Sequence, residues 1–91
     1  MRFEVKFTKE ADIMIGKYKK SNPNAYKKLS GLILDLIENP REGKGHPEPL
    51  IKGHSVTYSR RISGKDRLIY DIYDDVEVVL ILSVEGHYGE K

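Results

Sequence analysis

Apolar and polar residues alternate at the start of the chain, with Phe3, Val5 and Phe7 on one side and Arg2, Glu4 and Lys6 on the other. A period of two over residues 2–7 predicts a half-buried strand. The period then lengthens. Thr8 can cap a helix that holds Glu10 in its first turn, a favourable charge at the positive end of the helix dipole. Ala11, Met14, Ile15 and Tyr18 follow at i, i+3, i+4 and i+7, one apolar stripe aimed at the sheet. The polar run Lys19-Lys20-Ser21 closes that helix, and Asn22-Pro23 starts another, a capping residue followed by proline at a position where no N–H is needed. Ala25, Leu29, Leu32, Ile33, Leu36 and Ile37 repeat at helical spacing until Asn39-Pro40, because a residue before proline avoids the helical region. Two antiparallel helices joined by a turn of a few residues are predicted, their stripes forming core and not a cofactor site.

The second half returns to strands. Residues 55–62 put Val56, Tyr58, Arg60 and Ile62 on one face and Thr57, Ser59 and Arg61 on the other. Ser63-Gly64-Lys65 reads as a hairpin turn, and residues 67–73 divide into Leu68, Tyr70 and Ile72 against Arg67, Ile69, Asp71 and Tyr73. An even-length loop would set Ile62 opposite Arg67, whereas a three-residue loop sets Arg61 there, and Arg61 is the reading adopted. After Asp74-Asp75, residues 76–84 are apolar almost throughout, as suits a central strand covered on both faces. The order β-α-α-β-β-β is α+β, two N-terminal helices packed on one face of a mostly antiparallel sheet whose other face is open to a substrate or partner. With 91 residues the chain makes one small domain, 1–91, and shows no internal repeat or linker.

Between the two halves lies Arg41-Glu42-Gly43-Lys44-Gly45-His46-Pro47-Glu48-Pro49-Leu50, where two glycines and two prolines leave little room for regular structure. Pro47 and Pro49 bias His46 and Glu48 toward extended conformations, so the Glu48 carboxylate is expected on a stiff, polyproline-like segment. Gly43 and Gly45 permit backbone angles or close approaches closed to other residues, with Lys44 a mobile cation between them.

Composition adds several exclusions. There is no cysteine, hence no disulfide framework or thiolate metal site, which fits a reducing compartment and a cytoplasmic location. No continuous apolar leader and no stretch of roughly 20 apolar residues is present, so no membrane association is expected. The net charge of +2 is too small to argue for nucleic acid, but its distribution is uneven. Lys44, Lys52, Arg60, Arg61, Lys65 and Arg67 concentrate base in the middle, and Asp74, Asp75 and Glu77 concentrate acid late. His46, His54 and His87 lie far apart without ligand spacing, so no metal or other cofactor is expected. Gly86-His87-Tyr88 brings a histidine and a tyrosine off the end of the central strand.

Glu42-Gly43-Lys44-Gly45-x-Pro47-Glu48-Pro49-Leu50, Ser59-Arg60-Arg61-Ile62, Arg67-Leu68-Ile69-Tyr70 and Gly86-His87-Tyr88 together resemble the YoeB/Txe toxins of the RelE superfamily. The resemblance implies a microbial RNase fold and a ribosome-dependent mRNA endonuclease, the toxin of a type II toxin–antitoxin pair. It implies as partners a YefM-like antitoxin, the ribosome and mRNA, operator DNA when bound together with the antitoxin, and a second copy of the chain. It carries Glu48 over as general base, Arg67 as the cation that stabilises the phosphorane and His87 as general acid, with Tyr88 placing the substrate. A histidine with an ordinary pKa of about 6.5 suits the acid role, and a permanently charged guanidinium can grip phosphate oxygens in pairs. Lys44, Lys52 and Arg61 are candidates for holding RNA. Glu85 departs from the family, whose members often carry Lys or Arg there. A competing reading is a non-catalytic ParE-like toxin that binds DNA gyrase, although such relatives lack the Pro-Glu-Pro and His-Tyr elements.

Overall fold

The computed structural model describes residues 2–50 and 56–85. Strand β1 (Glu4–Phe7) leads into helix α1 (Lys9–Ser21) and helix α2 (Pro23–Glu38). Four strands follow: β2 (Glu48–Pro49), β3 (Thr57–Arg61), β4 (Arg67–Tyr73) and β5 (Val78–Glu85). They form one sheet in the order β1-β5-β4-β3-β2, antiparallel except where β1 runs parallel to β5. The α+β class, the paired helices and the mostly antiparallel sheet agree with the sequence; β2, only two residues long, was not anticipated.

The helix signals act as expected, with one economy. The Thr8 hydroxyl accepts the Ala11 amide at 3.0 Å, and Asn22 both ends α1 and caps α2 through its side chain on the Ala25 amide at 3.3 Å. A single residue therefore makes the junction where a turn of several was expected. Ala11 and Tyr18 from α1, and Ala25, Leu29, Leu32 and Leu36 from α2, are buried against Leu68, Tyr70, Ile72, Val79, Ile81 and Val84. Phe3 joins this core from just outside β1, its amide held by the Ile37 carbonyl at 2.8 Å.

Strand β5 is central but not covered on both faces. Val78, Leu80 and Leu82 remain partly exposed while Val79 and Ile81 are buried under the helices. It also begins later than expected. Val76 lies in a turn closed by the Glu77 amide on the Asp74 carbonyl, with Glu77 at φ 56, and is 64% exposed. Between Ile69 and Tyr70 of β4 the register against β5 shifts, so Ile69 faces Ser83 while Tyr70 faces Ile81. Leu82 is the extra residue of this bulge. Its carbonyl accepts the Thr8 hydroxyl at 2.8 Å, which ties the cap of α1 to the bulge. The shift resets the alternation: Val84 returns to the core opposite Leu68, and Ser83 and Glu85 pass to the face away from the helices.

Candidate functional site

Residues directly opposite each other in antiparallel strands share a face, so the register fixes which side chains meet away from the helices. Glu48, Ser59, Ile69 and Ser83 form one row across β2, β3, β4 and β5, and Arg61, Arg67 and Glu85 form the next. Arg61 opposite Arg67 matches the three-residue turn, closed by the Ile62 amide on the Asp66 carbonyl at 2.8 Å. Glu48 stands two strands and one row from Arg67, a Cα separation of roughly 12 Å from ordinary strand spacings. Two long side chains can both reach a phosphodiester placed between them. Ile69 and Ser83 are buried although they face away from the helices, so this side of the sheet is less open than expected.

The two arginines on that face are not neutralised by a carboxylate among the described residues. Like charges set directly opposite across a ladder repel. Neither Arg61 nor Arg67 has an ion pair among the described residues, and Glu85, opposite Arg67, instead accepts the Ser83 hydroxyl at 3.3 Å. Among the described residues, Arg67 Nη1 is the one buried side-chain polar atom without a hydrogen-bond partner. A desolvated N–H lacking an acceptor is costly unless something supplies one, and a phosphate oxygen would.

Arg60 has the opposite character. Fully buried, it donates from Nε to the Tyr70 hydroxyl at 3.0 Å and from Nη1 to Asp35 at 2.7 Å and the Lys44 carbonyl at 3.2 Å. Nη2 reaches the carbonyls of Asn39 and Glu42. One guanidinium thereby holds the chain from 39 to 44 against β3 and β4. The Tyr70 hydroxyl, donating in turn to the Pro40 carbonyl at 2.9 Å, is pushed above its ordinary value by burial despite Arg60, and stays protonated. Burial alone would raise the Asp35 carboxyl, but Arg60, the Lys44 amide and Asn39 together hold it below the ordinary carboxylate value.

This clamp explains the glycines. Gly43 sits at φ 117, and a Cβ there would fall 2.3 Å from an Asp35 carboxylate oxygen; at Gly45, φ 81, it would lie 3.0 Å from both the Arg61 carbonyl and Leu32. The Gly45 carbonyl accepts the Arg61 amide at 2.6 Å, and Glu48 must pair with Ser59, so the chain turns sharply between them. His46 makes that turn at φ 51, against the extended conformation expected before Pro47. Nor is Glu48 on a free polyproline-like segment: it lies on the edge strand β2, where Pro49 loses no ladder hydrogen bond. Arg41 anchors the loop from its other end with two bonds to Asp74, at 3.0 and 2.7 Å, its guanidinium carbon 5.9 Å from the Tyr58 ring centre.

Of the predicted site residues, Glu48, Arg67 and Arg61 are thus gathered on one face, and Lys44 stands exposed on the clamped loop. Lys52, His87 and Tyr88 lie outside the described residues. Sequence reasoning passed over Asp35 as the partner of Arg60, and over Lys27 and Lys28 of α2, which border a cleft with Lys44 and Arg61. Residue spacing alone carries no signal for either contact. Among the described residues no group of three or more His, Cys, Asp or Glu side chains is gathered to hold a metal, and no helix is long and apolar enough to cross a membrane.

Residues 7–88 match the family model of the YoeB-like toxin of bacterial type II toxin-antitoxin system. The Toxin YoeB of Escherichia coli (strain K12) is 39% identical over 71 residues, covering 78% of this chain and 82% of that protein. Among solved structures, the YoeB dimer from Staphylococcus aureus superposes with a TM-score of 0.80 at 29% identity, covering 97% of this chain and 100% of that one. The YoeB-YefM complex from the same organism does so with 0.78 at 30%, again covering 97% and 100%. Fold, sequence and the spacing of the loop and strand motifs therefore agree that this chain belongs to the YoeB-like toxins of bacterial type II toxin–antitoxin systems.

Proposed function

We propose that this toxin is a metal-independent endoribonuclease that cuts mRNA on the ribosome and so arrests translation. The observation that carries the reading is the pair of unneutralised arginines, 61 and 67, set beside each other one row from the Glu48 carboxylate. Glu48 takes the proton of a ribose 2′-OH, and the 2′-oxygen attacks the adjacent phosphorus. The new O2′–P bond forms as the P–O5′ bond breaks, leaving a 2′,3′-cyclic phosphate, and His87 delivers a proton to the departing 5′-oxygen. Arg67, helped by Arg61, holds the phosphorane charge, where fixed cations outperform reorganising water. Tyr88 seats the substrate, and Lys44 and Lys52 hold its flanks. Neutralisation by a YefM-like antitoxin fits the exposed cations, since an acidic, partly disordered segment folding on this face would be complementary to them. The toxin–antitoxin complex then acts as co-repressor on operator DNA.

The test is cleavage of a defined mRNA in a translating extract, with and without ribosomes. Glu48→Gln and His87→Ala should each lower the cleavage rate by about 10²–10⁴-fold, the usual contribution of a general base or acid. Arg67→Ala should do at least as much damage. Full activity in these variants, or gyrase inhibition without mRNA cleavage, would overturn the assignment.

A further inference from the structure

We infer that the cleft between α2 and the clamped loop is a second RNA contact, which takes the backbone phosphates of a single strand leading to Arg67; this deepens the nuclease reading and rests on it. Two adjoining clefts of about 420 Å3 each share Lys28, Gly45 and Arg61. The first is bordered by Lys27, Lys28, Lys44 and Arg61, with Gly31 leaving it open on the helix side. The second runs on past His46 to the β3–β4 turn. No carboxylate lines either cleft.

All four cations are exposed, and none has a side-chain ion pair among the described residues. The neighbouring Asp35 does not cancel them, because its carboxylate is engaged by Arg60 and the Lys44 amide. A surface of unpaired cations of one sign raises the local concentration of a polyanion. Arg61 ends the series, and its cross-strand neighbour is Arg67, so the cleft delivers a bound strand to the candidate site. The occupant is a nucleic acid backbone and not a peptide. Peptide grooves offer exposed apolar pockets for anchoring side chains, whereas the apolar residues here, Leu32 and Ile62, are buried in the core, and the exposed groups of the rim are lysines and an arginine, the means of tracking phosphates.

The experiment measures anisotropy of a labelled, single-stranded RNA of about a dozen nucleotides, a length within the usual range of single-strand sites. It is run at several salt concentrations with wild type, Lys27→Ser/Lys28→Ser and Lys27→Arg/Lys28→Arg. Each lost phosphate contact should lower the log–log salt slope by about 0.7, so the serine pair should lose about 1.4 and bind about tenfold more weakly, while the arginine pair stays near wild type. Sedimentation with isolated small ribosomal subunits forms a second arm. A defect on the free oligonucleotide supports the cleft as a contact for the strand leading to Arg67, whereas a defect on the particles alone assigns the phosphates to ribosomal RNA and overturns that reading. Unchanged affinity and slope in both arms overturns it, as does absence of wild-type binding in both, or binding of poly-glutamate with no RNA binding. Repeating the measurement on Glu48→Gln protein separates the two readings, because strand binding there stands or falls without reference to cleavage.

Discussion

Adjacent arginines on β3 do opposite things, and only the strand's alternation separates them. Arg60 points into the core and satisfies five acceptors; Arg61 points out beside another cation. Removing Arg60 strands the Asp35 carboxylate and a set of loop carbonyls, so Arg60→Leu should cost about 3–5 kcal/mol, the loss typical of breaking a buried charge pair. Arg61→Ser removes a repulsion and a solvated side chain, so stability should stay within about 0.5 kcal/mol of wild type while RNA affinity falls. Urea midpoints for the two variants check the contrast, and equal destabilisation would contradict it. The sequence made Arg61 the outward residue through period two alone, without revealing why Arg60 is tolerated inside. That reason is tertiary: Asp35 comes from the last turn of α2, and the three carbonyls come from residues 39, 42 and 44.

At the scale of elements, caps and periodicities placed both helices and three of the later strands to within a residue or two. The loop escaped, because its shape is set by partners far along the chain. Glycine content marked residues 43 and 45 as special, but the positive φ of His46 follows from the simultaneous demands of Arg61 on Gly45 and of Ser59 on Glu48. The bulge at Leu82 is equally silent in a run of apolar residues, yet it decides that Ser83 and Glu85 face the candidate site. The clamp also has a pH signature. Because the folded-state value of Asp35 is depressed, its contribution to stability is fully present above the ordinary value of 3.8 and disappears as pH falls through the lower folded value. The urea midpoint should therefore drop on acidification below about pH 4, and Asp35→Asn should be less stable at neutral pH but flatter through that window. An identical acid limb in wild type and Asp35→Asn would contradict the clamp.

For the whole molecule, the sheet joins distant parts of the chain. Phe7 pairs with Ile81, and Thr8 bonds to Leu82 across 74 residues of sequence, so the central strand finds its neighbour on one side only when both ends of the domain meet. Non-local pairing of this kind slows folding, and stopped-flow refolding should fall in the millisecond-to-second range, not the microsecond range of local helical folds. The class of fold was readable because helices and strands segregate along the chain; the parallel β1–β5 pairing was not, since nothing in a four-residue strand names its partner. That pairing bears on how such a protein is made. During its own synthesis the amino-terminal strand emerges early and must wait until residues 78–85 have cleared the exit tunnel, and Glu85, the last member of the Arg61–Arg67 row, arrives at the same late moment. A nascent copy therefore lacks a complete row beside Arg67 until residue 85 has emerged.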